Sequence, residues 1–210
     1  MKHVIFDFDG TLVNSLPVAV SIAEEMVPGI DLSDKQLAQF REMPAREIIK
    51  ASGIPYWKLL RLLIKGKKIL GAHLDELKVF PGIEKVVKDL HKQGFQLSVV
   101  SSNSQENIHK VLKSQGIDAY FSGVYGNVGL FAKSRVFKLI LKDQKVLASQ
   151  CVYVGDEVRD IESSRKGGLP IVSVTWGYNG KKILSSYEPT YMADTPQQLY
   201  KIITEQVHIG

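Results

Sequence analysis

The residues of this chain that could do chemistry are mostly carboxylates placed just after short apolar runs. Asp7 and Asp9 close HVIFDFD, Ser101, Ser102 and Asn103 follow LSVV, and Asp156, Glu157 and Asp160 follow VYVG. If these runs are strands of one parallel sheet, all three groups lie at its carboxyl edge, where open sheets of this kind bind ligands. Asp7, Asp9 and Asp156 would then crowd together, with Asp160 one helical turn beyond Asp156. Carboxylates so close repel unless a cation compensates them. With no Cys or His nearby the donors are all oxygen, which selects a hard ion such as Mg²⁺. Magnesium keeps waters and accepts phosphate oxygens, so the pattern points to phosphoryl chemistry. Such a reaction needs a second cation, and Lys133, in FAKSRVF just before a helical segment, is placed to supply it. Ser101 could donate its hydroxyl to a phosphoryl oxygen, and the Ser102 backbone N–H could do the same.

The elements that must position these residues follow from periodicity. Val4–Phe8, Leu97–Val100, Val152–Val154 and Ile171–Val174 read as buried strands. Ile83–Gln93 carries Ile83, Val86, Val87 and Leu90 at helical spacing, between Pro81-Gly82 and a capping Gly94. Gln105–Gln115, Ser134–Leu141 and Glu157–Lys166 read as helices too. Strands alternating with helices predict an α/β fold, a Rossmann-like, mostly parallel sheet flanked by helices. From Ser15 to Lys78 the pattern is helical throughout, with segments at Pro17–Met26, Asp34–Phe40, Ala45–Ser52 and Tyr56–Leu70. That is too long for one crossover. It predicts an inserted all-helical cap domain over residues 15–79, hinged near Asn14–Leu16 and Leu77–Pro81, with residues 1–14 and 80–210 forming the core.

Bulk properties narrow the class. The chain has 210 residues, 44% hydrophobic and 23% charged, which fits one well-cored domain with a modest insertion. No apolar run is long enough to span a bilayer, and HVIF is too short for a secretory signal, so no membrane partner is expected. Cys151 is the single cysteine, which excludes an intrachain disulfide and fits a cytoplasmic protein. The net charge of +5 could attract nucleic acid or small phosphorylated anions. The dense basic stretch, Lys65, Lys67 and Lys68, lacks the interleaved aromatics of a single-strand binding groove. The reading is therefore a small phosphorylated metabolite, no nucleic acid, and a monomer or homodimer.

Four segments, in order, resemble the motifs of the haloacid dehalogenase superfamily: FDFDGTL at 6–12, VVSS at 99–102, Lys133, and VGDEVRD at 154–160. The stretch through VTWGY at 174–178 looks like the phosphoglycolate-phosphatase-like subgroup with a small helical cap. The resemblance implies attack by Asp7 on phosphorus to form an aspartyl-phosphate. Asp9 would protonate the leaving oxygen and then activate water. Mg²⁺ would be held by the Asp7 carboxylate, the Asp9 carbonyl and Asp156, with Glu157 and Asp160 orienting metal waters or Lys133. Gly10 and Thr11 would hold phosphoryl oxygens by their backbone, alongside Ser102 and Asn103. Dehalogenating members lack an Asp two residues after the nucleophile, so Asp9 favours phosphate. Arg41 and Arg46, around Met43-Pro44, are the anion contacts the cap could offer. A phosphomutase using the same intermediate is the alternative, and a non-catalytic binding protein would lack one of these residues.

Overall fold

The computed structural model describes residues 2–27, 29–51, 65–66, 68–129 and 132–207. Six strands form one sheet in the order β3-β2-β1-β4-β5-β6, every pair parallel. They are β1 (His3–Phe6), β2 (Gln96–Val100), β3 (Gly123–Tyr125), β4 (Cys151–Gly155), β5 (Ile171–Val174) and β6 (Tyr191–Ala193). The chain winds outward from β1 through β2 to β3, then returns to β4 and winds the other way. The switch point therefore lies between β1 and β4, where a crevice opens beyond the strand ends.

Side-chain alternation along the strands feeds two cores. Val4, Phe6, Leu97, Val99, Val152 and Val154 point to one face. There they pack on α4 (Ile83–Lys92) and α5 (Gln105–Ser114) through Ile83, Val87, Leu90, Ile108 and Leu112. Ile5, Cys151, Tyr153 and Ile171 point to the other face, against Phe137 and Ile140 of α6 (Lys133–Asp143) and Ile161 of α7 (Val158–Gly167). Helix α4 buries the four apolar residues its period predicts, and Gly94, at φ 84°, takes up the left-handed turn that ends it. Cys151 is fully buried, and burial pushes its thiol up to about 11.

Between β1 and α4 lie α1 (Leu16–Met26), α2 (Asp34–Arg41) and α3 (Ala45–Ala51), then helical residues at 65–66 and 68–70 and a short 3₁₀ turn, Leu74–Glu76. Most of the helix predicted over Tyr56–Leu70 lies outside the described residues. The two chain crossings into this insertion run side by side: Asn14 N–H donates to Lys78 O at 2.9 Å, and Phe80 N–H to Leu12 O at 2.9 Å. After β5 the chain adds α8 (Lys181–Ser186) and, past β6, α9 (Pro196–Lys201) continuing into a π turn at Ile202–Gln206. No described helix is long and apolar enough to cross a membrane.

One buried polar group makes the fold sensitive to acid. His3 is fully buried at the start of β1, with Nε2 3.0 Å from Ser98 Oγ, and burial pushes its imidazole down to about 4. The unfolded chain therefore binds a proton that the folded one refuses between about pH 6.5 and pH 4. Stability should fall as pH drops through that window, by about 2–3 kcal/mol from this group at pH 4.5. Chemical denaturation at pH 7 and pH 4.5 should show a smaller acid loss in His3→Gln than in the natural chain. Equal losses in the two proteins would contradict a neutral buried His3.

Candidate active site

The first loop after the sheet explains why Asp7 is aimed as it is. Asp7 N–H extends the β1–β4 ladder by donating to Val154 O at 2.8 Å, and the Asp7 Oδ1 atom accepts Phe8 N–H at 2.7 Å. Its Oδ2 meets Lys133 Nζ in a very close contact. Lys133 opens α6 below the sheet and runs up past Tyr153 to reach it. The same ammonium donates to Asp160 Oδ1 at 2.7 Å and to Tyr153 Oη at 2.9 Å, so all three protons are used. Asp7 and Lys133 are 2% and 1% exposed.

Asp160 does two jobs with one carboxylate. Its Oδ1 holds Lys133, while Oδ2 accepts the N–H groups of Asp156 at 3.2 Å and Glu157 at 3.0 Å, capping α7. A cap and a tether to the site are the same residue here. Asp156 is fully buried, with Oδ1 accepting the Thr11 hydroxyl at 2.7 Å and Oδ2 accepting Tyr178 N–H at 2.7 Å. Gly10, at φ 77°, lets the first loop come this close, since a Cβ there would overlap Asp156 Oδ2 and the Tyr178 ring. Glu157 is paired in close contact with Arg159 Nη2.

Asp9 is met from β2. Ser101 Oγ and Asn103 Nδ2 both donate to Asp9 Oδ2 at 3.4 Å. The loop carrying them is pinned by Asn103 N–H to Ser101 Oγ at 3.0 Å and by Asn107 Nδ2 to Asn103 Oδ1 at 3.1 Å. Ser104 then caps α5 by accepting Asn107 N–H.

The structure brings Asp7, Asp9, Ser101, Asn103, Lys133, Asp156 and Asp160 together. Gly10 and Thr11 join them, yet their backbone N–H groups donate within the loop, to Val13 O at 2.9 Å and Phe8 O at 3.4 Å. Ser102 is partly buried beside Ser101. The two arginines of the insertion have other contacts. Arg46 Nη2 lies 3.6 Å from Glu162 on the exposed side of α7, and Arg41 Nη2 donates to Thr175 O at 3.3 Å. Sequence reasoning passed over Tyr153, Tyr178 and Asn179. A signal for the first was available: a tyrosine within a fully buried aliphatic strand must bring its hydroxyl to a partner.

The electrostatics call for one more cation. Five carboxylates, Asp7, Asp9, Asp156, Glu157 and Asp160, are grouped with two cationic side chains, Lys133 and Arg159. Burial pushes Asp7 up to about 7 against the pull of Lys133. Burial also raises Asp156 well above the carboxylate range, and Glu157, Asp7 and Asp160 push it further. Asp160 is held low despite burial, because Lys133 and Arg159 lie against it. Asp7, Asp156 and Asp160 each offer an oxygen within 4.8 Å of the others. Asp160 is already committed to Lys133 and to the cap, so Asp7 and Asp156 are the carboxylates that fit a hard divalent ion. Asp9 is raised by burial, opposed by hydrogen bonds from Ser15, Asn103 and Ser101.

Comparison with known proteins agrees with this geometry. The family model for haloacid dehalogenase-like hydrolases matches residues 4–174. The phosphoglycolate phosphatase of Synechococcus elongatus is 36% identical over 208 residues, which cover 98% of each chain. That of Vibrio parahaemolyticus is 24% identical over 221 residues, covering 97% of this chain and 96% of its own. A solved haloacid dehalogenase-like family hydrolase from Streptococcus pneumoniae shares the fold, with a TM-score of 0.78 at 22% identity over 95% of this chain and 96% of its own. The chain belongs to the haloacid dehalogenase-like hydrolase family, in its phosphoglycolate-phosphatase-like subgroup, and is by class a phosphoric monoester hydrolase.

Proposed function

We propose that the protein is a Mg²⁺-dependent phosphatase of small phosphomonoesters, with phosphoglycolate as its leading substrate, working through an aspartyl-phosphate on Asp7. The observation that carries this reading is the pairing of a buried carboxylate, Asp7, with a half-buried one, Asp9, whose partners differ in charge. Asp7 Oδ2 is held by the Lys133 ammonium, while Asp9 Oδ2 is met only by the neutral Ser101 and Asn103. A cation on one carboxylate and neutral donors on the other suit a nucleophile and a general acid.

In the first step an Asp7 carboxylate oxygen forms a bond to phosphorus as the bond to the ester oxygen breaks, and Asp9 gives its proton to the departing alkoxide. In the second, Asp9, now a carboxylate, takes a proton from water as that water attacks phosphorus, and the bond to Asp7 breaks. Lys133 holds the Asp7 carboxylate and offsets the charge brought by the phosphoryl group. Ser101 and Asn103 orient Asp9. Mg²⁺, held by Asp7 and Asp156 with the Asp9 carbonyl, would neutralise phosphoryl oxygens and align them for attack. The helices over residues 15–79 serve in this reading as a cap that admits the ester and then excludes water. The 36% identity to a phosphoglycolate phosphatase along nearly the whole chain supports that substrate.

Phosphate release from a panel of small esters should rank phosphoglycolate first. Activity should vanish with a chelator and return on adding Mg²⁺. Turnover indifferent to chelation would remove the metal from the account. Turnover that appears only with a sugar bisphosphate activator would turn the reading towards a phosphomutase.

A further inference from the structure

The segment from Thr175 to Ile183 meets the first loop, Asp156, the start of α7 and the helical insertion. Trp176 Nε1 donates to Thr11 O at 3.1 Å, and Tyr178 Oη lies 3.1 Å from Ser15 Oγ at the entrance to the insertion. Tyr178 N–H is on Asp156, as above. Beyond it the loop meets the turn after α2. Gly180 N–H donates to Arg41 O at 2.7 Å, Ile183 N–H to Glu42 Oε2 at 2.9 Å, and Asn179 Nδ2 to Arg41 O at 3.2 Å and Met43 O at 3.0 Å. Arg41 returns a bond to Thr175 O. A Cβ at Gly180 would displace the end of the Glu42 side chain.

Asn179 stands out because its two ends face different parts of the molecule. It is 4% exposed, and its Oδ1 accepts Val158 N–H at 2.9 Å, the first amide of α7. Its own N–H donates to Asp156 O at 3.3 Å. One amide side chain thus bridges two carbonyls of the helical insertion and the first amide of α7, between Asp156 and Asp160. Asp7, Lys133 and Asp156 are all within 2% exposure.

We infer that Asn179 is a positioning residue that couples the seating of the helical insertion to the placement of the Asp156–Asp160 loop; its effect on turnover rests on the phosphatase reading above. When the turn at Arg41–Met43 is seated, both Asn179 N–H bonds are filled and Oδ1 is held on Val158. When the turn lifts, the side chain loses those anchors and the start of α7 loosens with it. The site is therefore assembled fully only when the cap is down.

Amide hydrogen exchange reads this directly, because Gly180 and Ile183 N–H report the seating and Val158 N–H reports the start of α7. Asn179→Asp keeps the acceptor for Val158 but sets lone pairs against two carbonyls. Exchange at Gly180 and Ile183 should quicken about ten- to a hundredfold, with kcat falling about tenfold and KM changing less. Glu42→Ala, at an exposed position distant from the carboxylates, loses only the bond from Ile183. It should still quicken exchange at Val158, by about fivefold. Faster exchange at Gly180 and Ile183 in Glu42→Ala, with Val158 unchanged, would overturn the coupling, as would wild-type kcat in Asn179→Asp. If the natural chain releases phosphate from no ester, the phosphatase reading fails, while the exchange at Val158 still decides the coupling.

Discussion

Replacing Asp7 by Asn should reduce kcat by about ten-thousandfold or more and leave the fold intact. The size follows from losing the nucleophile of a two-step displacement, whose partners have little to act on without it. Asn has the shape of Asp but one acceptor in place of two. Whichever way it turns, an NH₂ group faces a donor, Phe8 N–H or Lys133 Nζ. That conflict is offset by relief of the repulsion among Asp7, Asp156 and Asp160. A circular dichroism melt near that of the natural chain, together with absent phosphate release, is the expected pair of results. Turnover within tenfold of the natural enzyme, in protein whose mass excludes deamidation back to Asp, would place the nucleophile elsewhere.

The second large effect belongs to Lys133→Met, and it should strike both activity and stability. The ammonium holds Asp7, Asp160 and the Tyr153 hydroxyl at once, and it is 1% exposed. Breaking a buried pair by removing one partner costs about 3–5 kcal/mol, because the other charge stays buried without compensation. Protonation of Asp7, already raised to about 7, can absorb part of that cost and in doing so removes the nucleophile. The variant should therefore lose stability by about 3 kcal/mol and kcat by about a thousandfold. A variant as stable as the natural chain, with kcat within tenfold of it, would contradict both the burial argument and the role of Lys133.

How far the sequence reveals the molecule can be judged element by element. The strands that carry the site, β1, β2, β4 and β5, are mostly apolar runs, and each lies within two residues of the expected bounds. Strands β3 and β6 escape because each is three residues long, GVY and YMA, and lies at an edge of the sheet. What makes them strands is pairing to β2 and β5, not a local pattern. The short helices α8 and α9 are missed for a similar reason: neither has enough turns to show a period. Within the site, the carboxylates and Lys133 are legible because burying charge needs a reason that a single chain can reveal. Asn179 is not, since an Asn between Tyr178 and Gly180 reads as a turn. Its importance comes from Arg41 and Met43, far away in the chain. Arg46 shows the converse. Its type and spacing fit an anion contact, but Glu162 sits 3.6 Å from it on α7, and no local pattern foretells that neighbour.

The central claim is that phosphorus is attacked twice, first by Asp7 and then by water. The stereochemical course at phosphorus tests it most directly. The phosphorothioate analogue of phosphoglycolate, made chiral at phosphorus with sulfur and two isotopes of oxygen, would be hydrolysed in water of the third isotope. Two in-line displacements predict inorganic thiophosphate with overall retention of configuration. Inversion would mean a single direct attack by water, and Asp7 would then be a metal ligand or base and not the nucleophile.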